Sequence, residues 1–222
     1  MNGLLIVDKP LGITSFDVIR RLRQITGVRK IGHTGTLDPL ATGVMILLFG
    51  DATKQAATYS KLDKSYNAEV TLGATSSTGD AEGEKTEVGS QRPEVREIEA
   101  VIKSFVGQIT QTPPVHSAIK IDGQEAYKRA RRGETVEMPS RMVTIHSLKL
   151  VDYTYPTIKL TADVSSGTYI RTLAEDIGEK LGTGAYLSQL RRTKVGEFGL
   201  DRAMRIESDT TAAEVMGRLI KL

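Results

Sequence analysis

A single carboxylate stands out in the segment GHTGTLDPLATG, residues 32–43. From Val18 to Gly50 the chain carries five Lys or Arg side chains and one histidine, and Asp38 is the only acid. In one interpretation Asp38-Pro39 is an ordinary turn whose carboxylate accepts backbone N–H hydrogen bonds. In the other, the glycines let a ligand approach the backbone, and the acid sits at the edge of the core, where a carboxylate can act as base or nucleophile. Composition alone leaves both open.

The sequence lacks the common motifs of other chemistries. It contains no GxxxxGK[ST] phosphate loop, no GxGxxG after a strand, no HExxH and no GxSxG. It has no cysteine, and His33, His116 and His146 lack the spacing of metal ligands. We therefore expect no metal site, and acids, tyrosines and basic residues remain as the catalytic candidates.

Length and charge bound the class of protein. The chain has 222 residues, 30 Lys and Arg against 27 Asp and Glu, and a net charge of +3, which is compatible with a polyanionic partner without requiring one. The amino-terminal apolar run is too short for a signal peptide, and no stretch approaches the roughly 18 apolar residues of a membrane span. We expect a soluble cytoplasmic protein.

The elements that must position Asp38 are predicted by periodicity. Leu4–Val7 is a short apolar strand, and a helix follows that Thr14 or Ser15 caps and Gly27 ends. Val44–Phe49 is apolar at every position, as expected for a central strand covered on both faces. Asp38 is thus predicted on a loop that leads into a core strand.

Further elements give the fold class. Alternation predicts a half-buried strand from Tyr66 to Leu72, then a polar loop to about Arg92 and a helix that Pro93 opens and Gly107 closes. Many adjacent strands favour an α/β (α+β) chain with a mixed, largely antiparallel sheet decorated by helices. Later strands are predicted at about 142–151, 157–164 and 187–192, and helices at about 170–181 and 212–220. A short basic helix is predicted after Asp122-Gly123, ending in the run 128–133.

Six blocks between residue 3 and about 200 carry a resemblance to a known family. One is the segment 32–43. The others are Asp8-Lys9-Pro10 with Gly12, Thr14 and Ser15; Lys64-Ser65-Tyr66; Leu72-Gly73 through Thr78-Gly79-Asp80; Gln111-Thr112-Pro113-Pro114 with Ser117, Ala118 and Lys120; and Ser165 through Arg171. In this order they resemble the TruB family of tRNA pseudouridine synthases, which isomerise uridine 55 in the T loop. The resemblance implies the pseudouridine synthase fold.

The resemblance assigns the reaction centre to three residues. Asp38 is implied to be the essential carboxylate of a cofactor-free and metal-free reaction, either adding to C6 of the uracil or acting as a base at the sugar. Arg171 is implied to pair with Asp38, and an adjacent guanidinium would hold the pKa of that carboxyl below its usual range. Tyr66 is implied to stack beneath the target base. Without the resemblance, Arg171 would be a surface cation and Tyr66 a core aromatic.

Other pocket residues follow from the same resemblance. His33 is implied to enter the T loop beside the flipped nucleotide, because an aromatic ring can stack where the base was. Tyr169 is implied to form a wall of the pocket, and Lys9 to support Pro10 and the floor. Asp80 either hydrogen-bonds near the base or is a solvated loop acid. Gly35 and Thr36 belong to the segment that RNA approaches.

Two groups of basic residues are predicted to contact phosphates of the tRNA T arm. Charges of the second group alternate with acids, so a solvated helix is the alternative, and phosphate binding would weaken steeply with salt. The resemblance places this second group in an insertion, about 114–142, that clamps the T arm. The groups are Arg20, Arg21, Arg23, Arg29 and Lys30, and Lys120, Lys128, Arg129, Arg131, Arg132 and Arg141.

The domain prediction is a catalytic domain at 1–205 and a short helical tail at 206–222 without the PUA-type RNA-binding domain of many family members. Recognition is then expected to rest on the T arm alone, by a monomer without a protein partner. The alternatives to a uridine-55 synthase are an RNA-binding or tRNA-folding protein of the same fold, and a synthase that modifies another uridine.

Overall fold

The computed structural model describes residues 1–89, 91–115, 117, 119–121, 123–130 and 132–222. His116 and Arg131, which the sequence analysis singled out, lie outside the described residues. The chain divides into two compact units, one of Met1–Tyr66 with Leu190–Leu222 and one of Asn67–Gln189. None of the described helices is long and apolar enough to cross a membrane.

Short strands and helices alternate along both units. The helices are α1 (Ser15–Thr26), α2 (Ala56–Ser60), α3 (Val95–Lys103), α4 (Ala126–Ala130), α5 (Ile170–Lys180) and α6 (Ala212–Gly217), with 3-10 turns at Gly50–Gln55 and Leu200–Arg202. The strands are β1 (Gly3–Lys9), β2 (Ile31–His33), β3 (Ala41–Phe49), β4 (Lys64–Leu72), β5 (Ala74–Ser76), β6 (Lys85–Glu87), β7 (Gly107–Gln111), β8 (Lys120–Ile121), β9 (Gln124–Glu125), β10 (Arg141–Thr154), β11 (Thr157–Val164), β12 (Ala185–Val195) and β13 (Phe198–Gly199).

The first unit is built on the pair β1 and β3. The two strands run antiparallel with Ile6 opposite Ile46, and β2 pairs with the far end of β3. Alternate residues of β3 enter two apolar clusters, one of which contains Met45 and Leu47 and the other Val44 and Ile46. This explains why β3 is apolar at every position: a strand covered on both faces has no solvated side.

Helix α1 covers one face of this sheet, with Val18, Ile19 and Leu22 in the same cluster as Met45. The helix begins at a capping box, in which the Thr14 hydroxyl accepts the N–H of Asp17 and the Asp17 carboxylate accepts the N–H of Thr14. It ends at a left-handed glycine, as predicted. These caps fix the start of α1 and with it Ser15, whose contacts are described below.

The second unit contains a sheet path in the order β4, β11, β10, β7. Strands β10 and β11 form a long antiparallel hairpin, and β7 pairs with the start of β10. Helix α3 packs on β10 and α5. Strand β7 thus ends beside the first residue of β10, with Gln111 opposite Arg141.

The predicted fold class is confirmed, with a parallel pairing of β12 and β3 among antiparallel ones. Three element predictions were wrong. Helix α3 ends at Lys103 and Gly107 begins β7, because this glycine takes φ +115° at the strand entry. The polar loop after Leu72 contains β5 and β6, whose polar sequences lack apolar alternation. The predicted basic helix ends at Ala130, so Lys128 and Arg129 lie in its last turn and Arg132 lies beyond it.

Candidate active site

Asp38 lies on the loop between β2 and β3 in the first unit. It is half-buried, and its carbonyl accepts the N–H of Ala41 at 3.0 Å, which turns the chain into β3. The preceding residue, Leu37, is fixed by the buried Ser15 hydroxyl. That hydroxyl donates to the Leu37 carbonyl at 2.9 Å and accepts the Leu37 N–H at 2.8 Å. The backbone before Asp38 is therefore held by the first residue of α1.

Arg192 also holds this loop, and its role was not predicted from the sequence. Its side chain is 3% exposed. Its Nε donates to the Val44 carbonyl at 2.7 Å, and its terminal nitrogens donate to the carbonyls of Gly35 at 3.0 Å and Thr36 at 3.4 Å. One guanidinium thus bridges β3 and the loop residues just before Asp38.

The sequence contained one signal for this contact. Arg191 and Arg192 are adjacent on a predicted strand, so alternation sends one of the two side chains inward. Arg191 takes the other side and pairs with Asp8 at 2.8 Å. The backbones of β3 and β12 also approach closely where Gly43 lies opposite Arg192. A β-carbon on Gly43 would lie 2.1 Å from the Arg192 carbonyl oxygen, so this position requires glycine.

His33 is half-buried and lies close enough to Arg192 to be affected by its charge. Burial and the nearby Arg192 charge lower the pKa of the imidazole below its ordinary 6.5, so the ring is neutral at pH 7. Its Nδ1 is buried and has no hydrogen-bond partner within the described residues. A neutral aromatic ring suits the predicted stacking, because no charge has to be removed from water when the ring enters the RNA loop.

Lys9 and Tyr66 are the remaining predicted residues of the first unit. Lys9 is 0% exposed, and its ammonium donates to the carbonyls of Pro10 at 2.9 Å and Ile13 at 2.6 Å. It therefore organises the turn between β1 and α1 and is not a surface lysine. Tyr66 is buried on β4, on the same side of the strand as the buried Lys64.

Lys64 is another buried cation of this unit, and no role was predicted for it from the sequence. Its ammonium donates to the carbonyls of Ser60 and Leu62. Burial, with a contribution from the Arg192 charge, lowers the pKa of Lys64 from 10.5 to about 8, although Asp63 opposes the shift.

The Lys64 pKa predicts how stability depends on pH. Between about pH 8 and 10.5 the unfolded chain binds a proton at this lysine that the folded chain does not, so this group makes the free energy of unfolding rise with pH. Urea denaturation over this range should show that the rise is smaller in Lys64→Met. Lys61→Met, which removes an exposed lysine, is the matched control and should keep the wild-type slope. Equal slopes in all three proteins would contradict the assignment.

In the second unit, Arg171 and Asp80 form a buried ion pair. Arg171 lies in the first turn of α5, and its Nη1 is 3.4 Å from Asp80 Oδ2 and 3.3 Å from the Thr78 carbonyl. The other Asp80 oxygen accepts the Thr78 hydroxyl at 2.6 Å and the Glu82 N–H at 3.0 Å. Asp80 is 3% exposed, so the alternative of a solvated loop acid is wrong. The pairing of Arg171 with Asp38 stays a prediction.

Glu175 extends this cluster and was also missed. It lies one turn after Arg171, and a β-carbon on Gly79 would come within 2.9 Å of its carboxyl. Burial and the Asp176 charge raise the pKa of Glu175, while the Arg171 charge opposes the shift. The Arg171 charge thus pairs with Asp80 and also acts on Glu175.

Tyr169 precedes α5 and contacts a residue predicted to bind RNA. The Arg141 guanidinium lies 5.1 Å from the centre of the Tyr169 ring and donates to the Gly167 carbonyl. A cation over an aromatic face is attracted by the ring quadrupole. Arg141 thus fixes the ring of Tyr169, and its contact with RNA stays a prediction.

The basic residues of α1 surround an exposed aromatic. Arg20 and Arg23 each lie 5.6 Å from the centre of the Phe16 ring, and Arg20 also pairs with Asp17 at 2.7 Å. The Arg21 guanidinium donates to the Ile206 carbonyl at 3.3 Å. Arg29 is exposed, and Lys30 pairs with Asp51 at 3.1 Å. Exposed pairs of this kind contribute little to stability, so these side chains can exchange an acid for a phosphate at low cost.

The basic residues of the predicted insertion also face acids. Glu134 accepts both Arg129 and Arg132 at 2.8 Å, and Lys128 pairs with Glu125 at 3.0 Å. Lys120 is exposed on β8. The described residues contain no group of three or more His, Asp or Glu that could hold a metal ion.

Two family models together match most of the chain. The model of the TruB family pseudouridylate synthase (N terminal domain) matches residues 23–170. The chain belongs to the TruB family. The model of the tRNA pseudouridylate synthase B C-terminal domain matches residues 171–216. The resemblance read from the sequence is thereby confirmed.

Curated relatives in the TruB family are similar over almost the whole chain. The tRNA pseudouridine synthase B of Cupriavidus taiwanensis is 49% identical over 211 residues, which are 93% of this chain and 66% of the relative. That of Pseudomonas fluorescens is 48% identical over 207 residues, 93% of this chain and 68% of the relative. The chain therefore spans about two thirds of the length of these relatives.

Solved structures support the same fold. A chain of a Cbf5-Nop10-Gar1 complex matches with a TM-score of 0.73 and 29% identity, over 92% of this chain and 52% of the other. A chain of an H/ACA RNP bound to a substrate RNA containing 2'-deoxyuridine matches with a TM-score of 0.67 and 27% identity, over 91% and 50%. The TruB-family fold of this chain is thus the pseudouridine synthase fold predicted above.

Proposed function

We propose that this chain is a tRNA pseudouridine synthase that isomerises uridine 55 of the T loop. The observation that carries the proposal is the loop of Asp38: a half-buried carboxylate whose flanking backbone is fixed by Ser15 and Arg192. An ordinary solvated turn does not need two buried side chains to hold it. A catalytic group does, since reaction rates depend on placement within about 1 Å.

The reaction requires no external reactant. The bond from N1 of the uracil to C1′ breaks, the base rotates, C5 bonds to C1′, the C5 proton leaves and N1 gains a proton. Asp38 assists by adding to C6 or by acting as a base at the sugar, and in both routes it must be ionised. Asp38 is the only acid between Val18 and Gly50. No carboxylate close to it in the sequence therefore opposes its ionisation by charge repulsion.

The other residues have roles around this step. The family resemblance assigns Tyr66 to stack beneath the uracil, Tyr169 to a wall of its pocket, and Arg171 to the pairing with Asp38. His33 fills the space that the flipped nucleotide leaves, which its neutral ring supports. Lys9 holds the floor through the Pro10 carbonyl.

The partner is the T arm of tRNA, bound through phosphates. The cations that support this are the α1 group around Phe16 and the insertion group around Glu134. Every phosphate contact releases counterions, so affinity is expected to fall steeply with salt concentration.

Release of tritium tests the proposal. A T-arm stem-loop labelled at C5 of its uridines is incubated with the protein, and label enters water only if the C5–H bond breaks. Release from the wild-type stem-loop, and none when uridine 55 is replaced by cytidine, supports the proposal. Binding without release would instead favour an RNA-binding or tRNA-folding protein. Equal release from both stem-loops would indicate another uridine.

A further inference from the structure

Gln111 begins the QTPP block, and no role above uses it. It is the last residue of β7 and is 2% exposed. Its side-chain Nε2 donates to the Tyr169 carbonyl at 3.0 Å, and its Oε1 accepts the Tyr169 N–H at 2.8 Å. One amide therefore satisfies both backbone groups of a single residue, as a neighbouring strand would.

Tyr169 is the residue where α5 begins. It has an extended conformation, φ −100° and ψ 114°, and its own side chain makes no capping hydrogen bond. Two residues later the helix presents Arg171 to Asp80 and the Thr78 carbonyl. A shift of the Tyr169 backbone is therefore passed to Arg171 through a single helical turn.

The cross-strand partner of Gln111 holds the same residue by its ring. Arg141 lies opposite Gln111 in the pairing of β7 with β10, and it is the guanidinium that covers the Tyr169 ring. A weaker link lies nearby, because the hydroxyl of Thr172, in the first turn of α5, donates to the Thr112 carbonyl at 3.5 Å. Strands β7 and β10 therefore hold Tyr169 in two ways: Gln111 binds its backbone, and Arg141 contacts its ring.

We propose that Gln111 is a positioning residue for the isomerisation: it fixes Tyr169, and through it Arg171, by pairing its amide with the Tyr169 backbone. The proposal rests on the proposed function for its chemistry. It requires a side chain that donates and accepts at the same time, which an amide does and a carboxylate does not.

Gln111→Glu gives a test that depends on this requirement. When the introduced carboxyl is protonated it donates to the Tyr169 carbonyl and accepts the Tyr169 N–H, as the amide does. When ionised it can only accept, and it repels the carbonyl. Burial raises the pKa of such a carboxyl above its ordinary value. The ratio of variant to wild-type single-turnover rate should therefore fall as the pH rises from about 5.5 to 8.

Controls separate positioning from general stability. Gln108→Glu places the same charge at an exposed site of β7 and should keep a flat ratio to the wild type. Gln111→Met removes both hydrogen bonds at every pH. It should react roughly 10- to 100-fold more slowly while T-arm affinity changes by less than about twofold. Hydrogen exchange at the Tyr169 amide should accelerate in Gln111→Met.

The possible outcomes separate the role of Gln111 from the proposed function of the chain. If wild type is active and both Gln111 variants react at wild-type rates, or lose rate and affinity together, Gln111 is not a positioning residue. If Gln111→Met does not fold, the pH dependence of Gln111→Glu decides alone. An inactive wild type overturns the proposed function and the role that rests on it, whereas unchanged exchange at Tyr169 in an active series overturns the role of Gln111 only.

Discussion

Replacing Asp38 with asparagine is expected to reduce pseudouridine formation by about three orders of magnitude, within the range for loss of a positioned acid or base. Asparagine keeps the shape of the side chain, so the contacts of Leu37 with Ser15 and of Arg192 with the loop should persist. Affinity for the T arm should change little, because no phosphate-binding cation is altered. Single-turnover tritium release and filter binding measure the two quantities.

Asp51→Asn is the matched control for this substitution. Asp51 is an exposed aspartate of the same unit that pairs with Lys30, and its loss should leave the rate within a small factor of wild type. If Asp38→Asn and Asp51→Asn release label equally fast, Asp38 is not the catalytic carboxylate.

The second large effect is expected at Arg192. Arg192→Met leaves the carbonyls of Gly35, Thr36 and Val44 without their donor. The bond to the Val44 carbonyl is buried and the other two are partly buried. An unsatisfied buried carbonyl costs about 1–3 kcal/mol, so the free energy of unfolding should fall by about 1–3 kcal/mol. Arg192→Lys keeps the charge but cannot reach three separate carbonyls, and it should slow the reaction roughly 10- to 100-fold with T-arm affinity retained.

Arg191→Lys is the control for Arg192→Lys. Arg191 lies next in the chain but is more exposed and pairs with Asp8, so lysine there should leave rate and stability near wild type. Urea denaturation and single-turnover rates compare the variants. A rate for Arg192→Lys equal to that of Arg191→Lys would mean that Arg192 does not position the Asp38 loop.

Much of the fold could be predicted from local patterns. Strand β3 is apolar at every position because both of its faces are covered, and α1 carries its capping residue and its terminal glycine in the sequence. Strands β5 and β6 were missed because three-residue strands of mostly exposed polar residues carry no apolar periodicity. The end of α3 was misplaced because Gly107 starts a strand and does not cap the helix.

Less of the site could be predicted. Asp38 stands out in the sequence as a lone acid, but Arg192 lies more than 150 residues away and acts through carbonyl oxygens that every residue possesses. The pairing of Gln111 with Tyr169 is of the same kind, since it uses backbone groups and a side chain distant in sequence. Local patterns indicate which side chains could be reactive. The residues that orient them are distant in sequence and are identified only from the folded structure.

Mapping pseudouridine in an unmodified tRNA transcript tests directly whether this chain modifies uridine 55. The transcript is incubated with the purified chain, and every uridine is examined at single-nucleotide resolution. We expect pseudouridine at position 55 and at no other position, and none with Asp38→Asn. Pseudouridine at a different uridine, or a transcript that is bound but unchanged, would contradict this expectation.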